Sequence, residues 1–159
     1  MGERRRILDL LDRAYRANAW HGPALLETLD GVNARLASRR PARAAHSIWE
    51  LVGHIATWNE IVARRIVGET PAVTKATNFP PVEKATPAAW KAARRRLART
   101  QSWFRREVAR FPEGKLGRRR PKLNTTWTVL IHGQIQHMLY HAGQIAVLRR
   151  ALGKPIPPN

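Results

Sequence analysis

The sequence predicts an all-α protein, a four-helix bundle with an interrupted first helix and a long loop between the second and third main helices. Three observations predict this class. Apolar residues recur at the helical period of about 3.6 residues, glycine and proline separate the periodic segments, and no segment alternates apolar and polar residues as a half-buried strand does. Four of the segments are long enough to be bundle helices. The 159 residues suit one domain, which we place at 1–159.

The first helix is predicted at residues 3–18 and is then interrupted. Its apolar stripe consists of Ile7, Leu8, Leu11, Ala14 and Tyr15. The Trp-His-Gly-Pro segment at 20–23 breaks the pattern, and a short helix is predicted to follow at 24–32 because Pro23 suits a first turn. A loop at 39–42, with two arginines and a proline, separates this helix from the second main helix.

The second main helix is predicted at 47–67, because Gly68 stands where a helix would end. The connection at 68–86 contains three prolines and shows no strand pattern. A loop of this length in a small domain often forms a lid or a wall of a site. Simple packing on the surface explains it equally well.

The third main helix is predicted to start at Thr86-Pro87, a capping residue followed by proline. It should end near Phe111, and a very basic loop is expected at 112–123. The last helix is predicted at 125–152, before a tail that contains several prolines.

The composition is strongly basic and lacks cysteine. Lysine and arginine number 29 against 11 acidic residues, so the formal net charge is +18. Such a charge suggests nucleic-acid binding, but the arginines occur in small groups along the whole chain, which is typical of the solvated faces of helices. We therefore expect only non-specific binding of nucleic acid or other polyanions. The absence of cysteine excludes disulfides, thiolate metal ligands and a cysteine nucleophile.

Targeting and membrane segments are not expected. The N-terminal residues are basic, but aspartates interrupt the apolar residues that follow, so the start does not resemble a signal peptide. No run approaches the roughly 18 apolar residues that span a bilayer. We expect a soluble, cytoplasmic protein with no membrane partner.

Three of the six histidines are placed to bind one metal ion. His137 and His141 are four residues apart in the last helix, so they lie on one face with Cβ atoms about 5–6 Å apart. His54 lies in the apolar stripe of the second helix, where an unpartnered imidazole would be costly. Because this spacing is also common in helices without a metal, a structural role for the pair is the alternative. Three neutral imidazoles would leave the charge of a divalent cation uncompensated, which acidifies a bound water.

Other polar residues near these histidines are candidates for supporting roles. Gln134 and Gln144 share the stripe of the two histidines in the last helix, and we predict that they orient the ligands or a bound molecule. Glu50 lies one turn before His54 and is the candidate catalytic base, with a helix cap or an arginine ion pair as the alternative. The remaining histidines, His21, His46 and His132, are expected near helix ends or on the surface.

Four segments of the chain carry a family resemblance. They are Trp20-His21-Gly22-Pro23, His46 to Ile55, Asn78-Phe79-Pro80-Pro81 and Gln136 to Ile145. In order and spacing they resemble the DinB superfamily, the DinB/YfiT-like candidate metalloenzymes, over nearly the whole chain. The H-x-x-x-H-x-G-Q-I pattern at 137–145 is the most specific of them. Two features depart from the family pattern: the high net charge, and Met138, where many relatives carry an acidic or polar residue.

The resemblance implies a fold, a cofactor and a chemistry. The family is a four-helix bundle, often dimeric, that binds a divalent metal, commonly zinc or nickel, through three histidines matching His54, His137 and His141. Characterised relatives are transferases and isomerases that use a low-molecular-weight thiol such as bacillithiol or mycothiol. We therefore predict a homodimeric, metal-dependent thiol S-transferase or hydrolase, in which activated water or an external thiol attacks a small electrophile. The alternative is a non-catalytic basic protein that binds nucleic acid or other polyanions.

Overall fold

The structure, a computed structural model, describes residues 2–41, 46–121 and 124–156. Its helices are α1 (Glu3–Tyr15), α2 (Leu25–Thr28), α3 (Ala34–Ser38), α4 (Ile48–Ile66), α5 (Lys75–Asn78), α6 (Pro87–Arg110) and α7 (Trp127–Ala151), with a 3₁₀ turn at Glu113–Lys115. The described residues form no β-strand, only an isolated bridge between Arg119 and Thr126. The prediction of an all-α protein is therefore confirmed. Residue 42 of the first predicted loop, residues 122–123 of the basic loop and the two chain ends lie outside the described residues.

The interrupted first helix is more broken than the periodicity predicts. The predicted helix at 24–32 is wrong in length, because α2 is a single turn. Gly31 follows it in the left-handed conformation, with φ of 66°, where a helix cannot continue. Asn33 then caps the start of α3 by accepting a hydrogen bond from the backbone nitrogen of Leu36 at 2.9 Å. This short helix was not among the predicted elements.

The long connection at 68–86 is not wholly irregular. It contains α5, a single turn that Thr74 caps by accepting a hydrogen bond from the backbone nitrogen of Thr77. The prediction of a loop throughout 68–86 is therefore corrected at these four residues. A turn this short carries no helical periodicity, so only its cap could have indicated it.

The main helices begin and end where the sequence places their caps. Ser47, Thr86 and Thr126 precede α4, α6 and α7, and the hydroxyl of each accepts a hydrogen bond from a backbone nitrogen of the first turn. Beyond the C-terminal ends of α4 and α7, Gly68 and Gly153 have φ of 93° and 71°. Glycine adopts such angles without the steric cost of a Cβ.

The long helices enclose one apolar core. Helices α1 and α4 each contact both α6 and α7, and the most extensive contact is between α4 and α6. The largest fully buried side chains include Ile7, Leu11, Ile48, Leu51, Ile55, Leu97, Phe104, Ile131, Met138 and Ile145. The contact between α4 and α7 positions the candidate site. In the described part of the chain, no helix has both the length and the apolar character needed to cross a membrane.

Candidate metal centre

Three histidine side chains converge between α4 and α7. His54 lies in the middle of α4, and His137 and His141 lie one turn apart on α7. The Nε2 atom of His137 is 2.9 Å from Nε2 of His54 and 3.0 Å from Nε2 of His141. All three candidate ligand atoms lie within 4.8 Å of one another. The structure thus brings the three predicted residues to one point.

Hydrogen bonds fix the ring orientation of two of these histidines. Nδ1 of His54 donates to the backbone oxygen of Asn78 at 2.7 Å, and Nδ1 of His141 donates to Oε1 of Gln144 at 2.6 Å. Since these oxygens can only accept, both protons must be on Nδ1. The lone pair of each Nε2 therefore faces the shared point, which is the usual arrangement of a metal-bound imidazole.

The middle histidine, His137, is held differently. Its Nδ1 is buried and has no hydrogen-bond partner among the described residues. Its Nε2 can carry one proton at most, so three Nε2 atoms share at most one hydrogen between them. A cation placed among them would satisfy all three lone pairs.

Two of the separations also suit ligands of a single ion. Two nitrogens bound at about 2.1 Å lie about 3.0 Å apart at a right angle and about 3.4 Å apart at a tetrahedral angle. The two short Nε2 separations, 2.9 and 3.0 Å, are close to the first of these values. The donor set of three imidazoles suits zinc, nickel, copper or iron. The group could hold a divalent metal.

Burial keeps the three imidazoles neutral. It is the largest cause that lowers the pKa of His54, His137 and His141, and for His137 the pKa falls to about 3. The positive charge that neighbouring histidines would carry lowers these pKa values further. The hydrogen bonds that His54 donates to Asn78 and His141 donates to Gln144 raise the pKa of these two rings but do not outweigh burial. Near neutral pH the rings are therefore neutral, each with one nitrogen lone pair able to coordinate a metal.

The last residue of α5 and the residue after it form one wall of this centre. Asn78 accepts from His54 through its backbone oxygen and from Nε1 of Trp58 through its side chain, at 2.9 Å. The next residue, Phe79, stacks on the ring of His54 with centroids 4.0 Å apart. The connection at 68–86 thus supplies a wall rather than plain surface packing.

His46 is a site residue that sequence reasoning missed. It was expected at a helix end or on the surface, and it is exposed, but its ring stacks on the outer face of Phe79 with centroids 3.8 Å apart. It also lines a pocket of about 500 Å³ beside the centre, together with Leu51, Tyr140, Gly143, Gln144, Val147 and Leu148. The one sequence signal for this role is that His46 begins a segment that resembles the family. Helical periodicity gives no signal, because residue 46 precedes the second main helix.

Glu50 lies at the start of α4 and not at the histidines. Its carboxylate accepts from the backbone nitrogen and hydroxyl of Ser47, at 2.8 and 2.9 Å, and from the guanidinium of Arg40. These bonds form a capping box. The structure therefore favours the alternative of a cap and an ion pair, and the catalytic role stays a prediction.

The two predicted glutamines have different surroundings. Gln144 contacts His141 directly. Gln134 is buried and donates to Oδ1 of Asn59 at 2.8 Å, and Nδ2 of Asn59 donates to Gln101 at 2.9 Å. Gln134 therefore joins a polar network that links α7, α4 and α6, and its hydrogen bond does not reach a histidine.

The other two histidines are outside the centre. His132 lies 3.4 Å from Glu3 of α1, and His21 is exposed. Both positions agree with the surface roles expected for them.

The match to known proteins agrees with this geometry. The family model of the DinB superfamily matches residues 17–145, which include all three histidines. The chain belongs to the DinB superfamily. No curated protein and no solved structure shows significant similarity to it.

Proposed function

We propose that this DinB-superfamily protein is a metal-dependent enzyme whose ligands are His54, His137 and His141. The observation that carries the proposal is the convergence of three Nε2 atoms. In His54 and His141 the ring proton is fixed on Nδ1, so Nε2 is free to coordinate. Zinc or nickel is the ion we expect, since both accept imidazole ligands. When bound, such an ion supplies Lewis acidity that lowers the pKa of a coordinated water or thiol.

The chain's own residues would bind and orient the reactants. Asn78 and Gln144 hold two ligand rings in place. Phe79 and Trp58 cover the centre with aromatic surface: their rings lie 4.0 Å from His54 and 5.5 Å from His137, respectively, between ring centroids. This apolar cover limits access of water and strengthens electrostatic interactions inside the site.

The neighbouring pocket suits a small substrate. Its volume of about 500 Å³ and its lining of Leu51, Val147 and Leu148 fit a small electrophile of mainly apolar character. His46 also lines this pocket, and its imidazole can accept or donate a proton. Since the chain has no cysteine, a thiol reaction would need an external low-molecular-weight thiol. We therefore propose a thiol S-transferase, or a hydrolase if water takes the place of the thiol.

The arrangement of the whole protein is part of the proposal. The mutual contacts of α1, α4, α6 and α7 support a four-helix bundle. Val129, Tyr140 and Val147 are exposed on one face of α7, which supports the expected homodimer, because such a face is often covered by a second chain. We also propose that the protein acts in the cytoplasm.

Elemental analysis of protein purified without a polyhistidine tag tests the metal site. We expect about one zinc or nickel ion per chain, and a chelator should lower the unfolding temperature because the ion binds the folded state. His54→Ala and His137→Ala should abolish both effects, while His21→Ala should retain them because His21 is exposed and outside the centre. Equal metal content in all four proteins would contradict the proposal.

Activity requires a separate measurement. Metal-loaded protein should transfer bacillithiol, mycothiol or another small thiol to a model electrophile, or hydrolyse an activated ester, and His137→Ala should lose this activity. Absence of turnover in a metal-loaded protein with every thiol tested would restrict the centre to a structural role.

A further inference from the structure

A second pocket lies where the C-terminal end of α4 meets the start of α7. Its volume is about 420 Å³, and its lining combines arginine with rigid apolar side chains. The lining residues are Arg65, Gly68, Glu69, Thr70, Pro71, Arg120, Pro121 and Trp127. None of them belongs to the histidine centre or supports it.

The positive charge of this pocket is not neutralised. Arg65 and Arg120 make no ion pair with a carboxylate of the described residues, and Glu69 is paired instead with Arg64 at 2.6 Å. The positive end of the α7 dipole adds to the field, because Trp127 is the first residue of that helix. Burial lowers the pKa of Arg120, and the charge of Arg65 lowers it further. Both arginines line the same pocket, so two positive charges face one cavity.

Both arginines are held in place. The Cζ atom of Arg65 lies 5.6 Å from the ring centroid of Trp58, and that of Arg120 lies 6.0 Å from the ring centroid of Trp127. The backbone nitrogen of Arg120 donates to Thr125 at 2.9 Å, which ties the basic loop to the start of α7. A ligand would therefore meet a largely preorganised pair of donors.

The pocket is near the histidine centre. Trp58 is close to a residue of each: its ring centroid lies 5.5 Å from that of His137, and the Cζ atom of Arg65 lies 5.6 Å from the same Trp58 ring. The guanidinium of Arg65 is therefore no more than about 11 Å from the His137 ring. A small organic molecule can span such a distance.

We propose that Arg65 and Arg120 bind the anionic group, a phosphate or a carboxylate, of a small organic molecule that the histidine centre acts on. Guanidinium groups match the paired oxygens of both anions, and Trp127 with the two prolines offers apolar surface to the rest of the ligand. The anion site stands by itself, whereas its assignment to the substrate rests on the proposed function.

Titration of the isotope-labelled full chain with phenyl phosphate and with benzoate, followed by NMR at constant ionic strength, tests the anion site. We expect saturable shifts at the Trp127 indole and at the Nε signals of Arg65 and Arg120. The double variant Arg65→Gln/Arg120→Gln should weaken binding by about tenfold or more, a loss of about 1.4 kcal/mol. The ligand that saturates at lower concentration identifies the preferred anion.

A matched variant controls for the loss of charge. Arg95→Gln/Arg99→Gln removes the same two charges from exposed positions on α6 that do not line the pocket, and it should change the affinity less than about twofold. If the double variant loses its fold, the single substitutions Arg65→Lys and Arg120→Lys retain the charge and should each weaken binding. Equal weakening by Arg95→Gln/Arg99→Gln, or shifts spread over the whole basic surface, would reduce the effect to non-specific polyanion binding and overturn the proposal.

The substrate assignment has its own readout. Binding of the anion should be unchanged in His54→Ala, so failure of the metal test leaves the anion site in place. In metal-loaded protein, an anionic electrophile should have a KM at least tenfold lower than its neutral analogue, and Arg65→Gln should remove this preference. An unchanged preference would overturn the assignment of the substrate.

Discussion

At the scale of single residues, the three histidines differ in what holds the ring nitrogen that faces away from the centre. Nδ1 of His141 is bound to a side chain, Nδ1 of His54 to a backbone oxygen, and Nδ1 of His137 to no described residue. Of the two hydrogen-bond acceptors, only the side chain of Gln144 can be removed by substitution, because the other is a backbone oxygen. Partners of this kind fix the tautomer and orientation of a ligand before the metal arrives.

Gln144→Ala should weaken metal affinity by about 10- to 100-fold with little change in stability, because Gln144 is only partly buried. Gln134→Ala should do the reverse. It leaves Asn59, which is fully buried, without one of its partners, so it should lower the free energy of unfolding by about 1–3 kcal/mol. Calorimetric metal titration and denaturant unfolding of both variants check this. If Gln134→Ala lost as much metal affinity as Gln144→Ala, the assignment of these two residues would be wrong.

The same pair of glutamines shows how far the sequence predicts the site. The i, i+4 spacing of His137 and His141 fixes one helical face, and this spacing, the apolar pattern around His54 and the family resemblance together predicted the cluster. The helical spacing could not show that Gln134 and Gln144 have different roles, because both lie on the same stripe of the helix. Their hydrogen-bond partners depend on which helices pack against each end of that stripe. His46 could not be found in this way, since its role depends on the path of a distant loop.

At the scale of elements, α4 carries the first ligand, and its start is set by the capping box of Ser47 and Glu50. The side chain of Glu50 is only 10% exposed and its ion pair with Arg40 joins the helix to the preceding loop. Burial raises the pKa of Glu50, but the hydrogen bonds from Ser47 and Arg40 outweigh it and leave the pKa below its ordinary value. The ionised form is therefore the one that stabilises the fold.

Glu50→Gln should lower the free energy of unfolding by about 1–2 kcal/mol at pH 7. Because the folded protein binds the Glu50 proton less readily than the unfolded chain, this stabilisation is complete above the unfolded pKa of about 4.3. It is lost as the pH falls through the lower folded pKa. Denaturant unfolding across this range should show the difference from the native protein shrinking in acid. Glu83→Gln, at an exposed position, should show no such difference, and a pH-independent effect of Glu50→Gln would contradict the ionic role.

Helix α7 is tied to the N-terminal part of the chain by a buried arginine. Arg149 is 5% exposed and donates to the backbone oxygens of Thr28 and Asp30, at 2.9 and 2.7 Å, and to that of Lys154 at 2.9 Å. Its guanidinium thus satisfies carbonyl groups at the end of α2 and after α7. Nothing in the pattern of the sequence distinguishes it from the neighbouring Arg150, which is exposed.

Arg149→Met should therefore lower the free energy of unfolding by about 2–4 kcal/mol, since the carbonyl groups lose charged donors that apolar atoms cannot replace. Arg150→Met should change it by less than about 0.5 kcal/mol. Thermal and denaturant unfolding of the two variants give a direct comparison. Similar losses in both would show that charge or helix propensity, and not the buried contacts, is responsible.

The elements themselves were predictable in proportion to their length. The bounds of α4, α6 and α7 follow from caps and glycines that act locally, so they differ from the prediction by only one or two residues. The single turns α2 and α5 gain no cooperativity from their own hydrogen bonds. They exist because tertiary contacts hold them, such as the hydrogen bonds of Asn78 to His54 and Trp58, and no local pattern encodes such contacts.

At the scale of the whole molecule, charge repulsion works against the fold. The excess of cations gives a net charge of +18. Many of the ion pairs in the described residues are partly exposed, such as that of Arg13 with Asp9, whose side chains are 52% and 47% exposed. Pairs of this kind contribute little to stability. Repulsion among the remaining arginines acts over the whole surface and should be the larger electrostatic effect.

Raising the sodium chloride concentration from about 0.02 M to about 0.5 M should therefore stabilise the protein, because the screening length falls well below the spacing of most like charges. Thermal unfolding at pH 7 should show the midpoint rising with salt. Arg95→Glu/Arg99→Glu, at two exposed positions of α6, reverses two charges and lowers the net charge from +18 to +14. This variant should respond less to salt and be more stable than the native chain at low salt. A midpoint that falls as salt is added would contradict this prediction, because it would mean that the ion pairs stabilise the fold more than the repulsion destabilises it.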